Sequence, residues 1–242
     1  MCALGWLDIR LRYRGSVLGP LWLSLSTAVM VAALGGLYAG LFHLQAADYV
    51  PYLAVSLVLW NSLAGQVADS CTVFVQQESI IRSMRMPFCV HAARVLMRNV
   101  LVLAHHALVL APVFLLFGIF PGMQVFLALP ALALWVVDGF LLALALGAIC
   151  ARFRDIPPIA ASVMQLAFFV TPVIWKPELI GARAALLPLN PFHVLLEIVR
   201  APLLGEAAGV EVWVSAIAYS LFLAAVSWAV FVRARPRLAY WV

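Results

Sequence analysis

Few residues in this 242-residue chain could carry chemistry, and most of those lie inside apolar runs. His105 and His106 stand side by side in one such run, where a pair of imidazoles could relay protons or bind a metal. Adjacent residues on a helix diverge by about 100°, however, which makes them a poor shared ligand site. Two neutral histidines, hydrogen-bonded to neighbouring helices or with one facing a wet cavity, are the simpler reading. Asp138 is the costliest charge, because a carboxylate at the bilayer centre costs roughly 2.5–3.5 kcal/mol to insert. It must face the interior of a helix bundle with a partner or be protonated. A proton-coupling acid is the functional alternative, but no second carboxylate lies at similar depth, so a structural or pore-lining place is favoured. Asp69 sits nearer a helix end and can reach the interface.

Nothing in the sequence forms a catalytic constellation or a metal site. There is no GxxxxGK[ST] phosphate loop, no GxSxG elbow and no HExxH. Energy for any active transport would have to come from a partner or a gradient. Cys2, Cys71, Cys89 and Cys150 show no CxxC spacing and read as small apolar residues. The aromatics make up 12% of the chain. Trp22, Tyr49 and Trp175 fall near helix ends, where interfacial anchoring explains them. Phe168 and Phe169 lie inside an apolar run and read first as packing. A ring of aromatics along a path that sugar faces could slide past is the sharper alternative, so Asp138, Phe168, Phe169 and Trp175 are candidate pore-lining residues.

The elements that must position these residues follow from hydropathy. Two-thirds of the chain is hydrophobic (66%), 10% is charged, and the mean hydropathy is +1.08. A soluble domain carries about a quarter charged residues, so most of this surface faces something apolar. A spanning helix needs about 20 apolar residues. Six runs qualify, at about 18–42, 50–75, 95–118, 122–151, 157–175 and 210–232. Backbone polar groups must be satisfied within lipid, so these runs are expected to be helices, in a single all-α membrane domain over 1–242. The N-terminal stretch lacks the continuous apolar region and cleavage site of a secretory signal peptide.

Orientation follows from the basic residues. The net charge of +5 is almost wholly arginine. Twelve of the fifteen basic residues fall on one side of the six runs, in clusters around Arg10–Arg14, Arg82–Arg98, Arg152–Arg154 and Arg233–Arg237. Lys176, Arg183 and Arg200 fall on the other. This asymmetry places both termini in the cytoplasm. It is the pattern of membrane orientation, not of nucleic-acid binding. The polar segment from Gln76 to His91, interrupted by Pro87, is expected to be a short cytoplasmic helix followed by a break. The segment 176–209 is too long for a turn and too apolar for a free loop. It is expected to form short helices dipping into the outer leaflet. The arginine clusters could also meet anionic headgroups or the acidic residues of a cytoplasmic partner.

A resemblance emerges from motifs taken in order. They are Arg12-Tyr13-Arg14-Gly15-Ser16-Val17-Leu18-Gly19-Pro20-Leu21-Trp22, Pro51-Tyr52 with Leu59-Trp60-Asn61, and Ile80-Ile81-Arg82 with Met86-Pro87. Then follow Arg152-Phe153-Arg154-Asp155-Ile156, Thr171-Pro172-Val173-Ile174-Trp175, Leu189-Asn190-Pro191-Phe192, Arg200-Ala201-Pro202-Leu203-Leu204 and Tyr240-Trp241. Together they resemble the ABC-2-type permeases that export polysaccharides and polyol phosphates. Only about 17 residues precede the first span, fewer than the family's usual amphipathic N-terminal segment. The resemblance implies two copies of the chain paired with two ATP-binding subunits. ATP and Mg would bind on those subunits and no cofactor on this chain. The cargo would be a lipid-linked polysaccharide, most simply O-antigen on undecaprenyl diphosphate, with capsule, teichoic acid or a small drug as alternatives. Glu78, Arg82, Arg85, Arg152, Arg154 and Asp155 become candidates for coupling to the ATPase. Arg10, Arg12, Tyr13 and Arg14 become candidates for the lipid diphosphate or the interface, with Arg85 joining Arg12 as a candidate diphosphate ligand.

Overall fold

Prolines and small residues set where the helices of this chain start, bend and stop. A computed structural model describes residues 21–41, 45–84 and 86–242, without the side chains of Leu21 and Leu23. Arg10, Arg12, Tyr13, Arg14 and Arg85 therefore lie outside the described residues, as do the first residues and the last of the first expected span. The described chain is all-helical: α1 (Leu21–Leu41), α2 (Ala46–Thr72), α3 (Glu78–Ser83), α4 (Phe88–Ala107), α5 (Leu110–Phe117), α6 (Ala128–Arg152), α7 (Ile156–Val170), α8 (Pro191–Leu203), α9 (Val210–Ala234) and α10 (Leu238–Trp241). Short 3-10 turns lead into α3 and α6, and a longer one, Pro177–Leu189, leads into α8.

Five of these stretches are long and apolar enough to cross a membrane, counting α4 and α5 as one bent span. The bent pair Pro177–Leu189 and α8 brings the number to six. The multi-span helical bundle expected from hydropathy is thus present, with several ends moved and one span broken. Helix α4 begins at Phe88 rather than near 95, immediately after Pro87, so Arg94 and Arg98 lie within the helix. It breaks at Leu108–Val109 because Pro112 has no N–H to return to the Leu108 carbonyl. Helix α7 ends at Val170 rather than 175: Pro172 drives Thr171 to an extended ψ of 139°. Its 15 residues reach only about 22 Å, short of a hydrocarbon core of about 30 Å. The long connection after it forms two helical pieces crossing at 106°, as the short-helix expectation required.

Helix α2 is the hub. Over its first half Tyr49, Leu53, Ala54, Val55, Leu57, Val58 and Leu59 are all buried, so that apolar residues cover every side of the helix there. An all-round apolar helix belongs in the middle of a bundle, and α2 packs against α1, α4, α5, α6, α7 and α8. Helix α6 approaches it through small residues. Gly139, Ala143, Gly147 and Ala151 recur every fourth position and are buried, the small-xxx-small stripe by which membrane helices come close. Polar side chains stitch the crossings: Gln66 Nε2 donates to the Gly139 carbonyl at 2.9 Å, Ser227 Oγ to Leu141 at 2.8 Å, and Trp135 Nε1 to Leu195 at 2.9 Å.

The core has two parts. One surrounds the first half of α2, with Val194, Leu196, Ile198 and Val199 of α8. The other lies at the far end, where Val73, Phe74, Ala92, Val95, Ala148, Ala151, Ala234, Leu238 and Val242 meet.

Candidate functional site

At the first end of α2, two tyrosines and one arginine hold a broken stretch of backbone. Beyond Thr171 the chain runs 172–175 without helical hydrogen bonds, and its carbonyls need other donors. Tyr49 Oη donates to Ile174 at 2.5 Å, and Tyr52 Oη to Pro172 at 2.9 Å and Trp175 at 3.2 Å. Arg200 of α8 is 1% exposed. Its Nη1 donates to the Pro172 carbonyl (2.6 Å) and to Ser56 Oγ (3.0 Å), while Nε meets Glu197 Oε2 at 3.0 Å. Nη2 pairs with the same carboxylate, and the guanidinium stacks 4.3 Å over the Tyr52 ring. All the guanidinium's nitrogens are thus satisfied in a buried place. Asn190 closes the arrangement: its Oδ1 caps α8 at the Phe192 and His193 amides, and its Nδ2 donates to Thr171 Oγ1 at 3.0 Å.

The candidate pore aromatics gather beside this knot. Phe168 stands 5.6 Å from Trp60 and 5.3 Å from Phe169, and Trp60 is 5.9 Å from Phe192. Trp175 Nε1 donates to the Phe169 carbonyl at 3.0 Å. Asp138 is not among them. It is buried between α6 and α9, where Ser220 Oγ donates to its Oδ2 at 2.8 Å and its Oδ1 has no partner among the described residues. Asp69 does not rely on the interface either: it pairs with Arg98 of α4 at 2.9 Å.

The two histidines part company as their 100° separation requires. His105 Nδ1 lies 2.7 Å from the Leu101 carbonyl of its own helix, and its own carbonyl accepts Ser24 Oγ from α1 at 2.6 Å. His106 is buried and lines a cleft of about 370 Å³ with Ser26, Thr27, Met30 and Asn61.

At the opposite end of α2, the candidate coupling residues converge on a segment that their spacing did not single out. Arg82 of α3 forms an ion pair with Glu78 at 2.9 Å, one turn away and largely exposed. The same guanidinium donates from Nε and Nη2 to the Val242 carbonyl at 3.2 and 2.6 Å. Arg152, at the end of α6, lies 5.7 Å over the Trp241 ring. Arg154 and Asp155 occupy the exposed turn into α7.

The ABC-2 type transporter family matches residues 1–204. The chain belongs to that family. It is also 24% identical over 192 residues to the O-antigen export system permease protein RfbA of Myxococcus xanthus, covering 78% of this chain and 74% of that one. An ABC-2 membrane permease with this fold accounts for the features above.

For the permease, the sequence motifs at Pro51-Tyr52, Thr171-Pro172, Leu189–Phe192 and Arg200 are one structural object. Their residues are distant in sequence yet share hydrogen bonds. The sequence marked Arg200 as a charge on one side of the membrane and as part of a family motif, without its partners. The available signal was Glu197 three residues before it within an otherwise apolar run. Trp60 and Phe192 were also missed as aromatic-cluster members.

Asp138→Asn is expected to leave the permease folded and transporting. The amide keeps an oxygen for Ser220, so the stability change stays within about 1 kcal/mol. Transport by the permease reconstituted together with its ATP-binding subunit checks this; a variant that folds and assembles but does not transport would make the carboxylate a proton carrier.

Proposed function

We propose that this permease exports a lipid-linked polysaccharide, an undecaprenyl-diphosphate-linked O-antigen, from cytoplasm to periplasm. Two copies work with two copies of a separate ATP-binding subunit in a bacterial inner membrane, with both termini cytoplasmic. ATP and Mg sit on that subunit. The observation carrying this reading is the charged end of the bundle. Helix α3, with no buried residue, carries Glu78 and Arg82 outward, and the exposed Arg154–Asp155 turn lies at the end of α6. Exposed charge on short connections between apolar helices suits a water-soluble partner, and rim charges steer such contacts. The relative's name supplies the support for the cargo.

In this reading the partner closes on nucleotide and presses on α3 and the α6–α7 turn, switching the helices between two rigid arrangements. Arg12, with Arg10, Tyr13 and Arg14 beside it in sequence, and Arg85 take the diphosphate through charge-assisted hydrogen bonds. The aromatic group of Phe168, Phe169 and Trp175 lines the glycan's route.

Reconstituted vesicles test the reading directly. Flipping of a lipid-linked glycan is expected only when the ATP-binding subunit and ATP are both present. Movement driven by this chain alone would overturn it. Reversing Arg154 to Glu is expected to weaken co-purification of the subunit about tenfold, since like charges across an interface repel. Unchanged assembly would remove that residue from the docking surface.

A further inference from the structure

Helix α3 has six residues, none of them buried. A helix so short is not stable alone in water, so its position must be imposed from outside. Part of the constraint is Arg94 Nη1, which donates to Gln77 Oε1 at 3.2 Å just before α3. A further part comes from residues 238–242. Helix α9 ends at Ala234, Pro236 stops it, and the chain turns back so that Leu238 and Val242 are 0% and 3% exposed. Both join the apolar cluster of Val73, Phe74, Ala92, Val95, Ala148 and Ala151, against which Ile81 of α3 also packs. Val242 receives two hydrogen bonds from Arg82, and Trp241 lies beneath Arg152.

From this geometry we infer that residues 238–242 are a strut that positions the coupling helix α3 and ties it to the ends of α6 and α9. Helix α3 is joined covalently only to α2 and α4. The strut adds a direct mechanical connection to the other two helices, through Arg82 on one side and Arg152 on the other. A push on α3 then reaches α6 and α9 without passing through the hub. The role in coupling rests on the proposal that an ATP-binding subunit meets α3; the positioning of α3 does not.

Two measurements separate these. In the purified full-length permease in nanodiscs, trypsin can cut after Arg82 only when that side chain leaves Val242 and α3 opens. Deleting 238–242 is expected to speed this cut about tenfold, with Leu238→Ser giving a smaller increase in the same direction and Trp241→Ala loosening only the α6 contact. An unchanged cutting rate in both the deletion and Leu238→Ser overturns the strut. In vesicles with the ATP-binding subunit, the same variants are expected to keep the subunit bound and hydrolysing ATP. Glycan moved per ATP should fall several-fold, and Trp241→Phe, which keeps a ring under Arg152, should restore much of it. A normal ratio of transport to hydrolysis in the deletion overturns the coupling role. A wild-type chain that binds no ATP-binding subunit overturns the proposed function instead, and the trypsin result then decides the strut alone.

Discussion

Replacing Arg200 by alanine is expected to remove about 3–5 kcal/mol of stability and to leave little monodisperse permease after extraction. The guanidinium is almost wholly buried and binds Glu197, Ser56 and the Pro172 carbonyl at once. Its loss leaves the Glu197 carboxylate without its ion-pair partner and takes one of two side-chain donors from the Pro172 carbonyl. Backbone freed from helical bonding after Thr171 then has fewer partners in a region where water is scarce. Arg200→Lys is expected to rescue only part of this. One ammonium on a flexible stem cannot present the planar fork that reaches three acceptors and stacks on Tyr52. Thermal inactivation of the purified protein, followed by gel filtration, reads both variants. Wild-type behaviour of Arg200→Ala would show that the tyrosines alone hold the break.

Gly147→Ala is the second large effect, expected to cost about 1–3 kcal/mol by overpacking. A Cβ built at Gly147 would collide with Val73 and come within 2.8 Å of Phe74 Cε2. Both neighbours are at most 1% exposed, so neither can swing into solvent. The close approach of α6 to the turn that follows α2 would have to open, and α3 begins only a few residues beyond Phe74. Gly139→Ala is expected to cost less, because its nearest contacts are the ends of Leu96 and Gln66 side chains at 3.0 and 3.3 Å. The ranking, Gly147 worse than Gly139, is checked by the same thermal measurement. Equal effects would mean that α6 shifts as a whole.

Much of the bundle was written in the sequence, because the bilayer imposes a length and an apolarity that are read one residue at a time. The apolar runs became helices close to where hydropathy put them, and Pro87 marked the break after the short charged helix. The aromatic Phe168, Phe169 and Trp175 did fall together, since they are neighbours along the chain. The boundaries that moved did so for local reasons: Pro172 stopped α7 early, and Pro112 bent the third span.

What one-dimensional reading could not reach are the contacts between distant segments. Arg200 looked like an orienting charge, because a count of arginines by loop does not know that Tyr52, Ser56 and Pro172 will surround it. Asp138 was expected to face the bundle interior with a partner or be protonated, but Ser220, eighty-two positions on, could only be named by folding α9 against α6. The candidate coupling residues follow the same rule. The segment from Gln76 was expected to open with a short helix, and on that helix Arg82 pairs with Glu78 one turn away. The tether from Arg82 to Val242 spans 160 positions, and only the way the helices pack brings Val242 and Trp241 to Arg82 and Arg152. Hydropathy acts on each segment separately and so was legible; the pairing of buried polar groups depends on which segments meet, and the tertiary structure decided it.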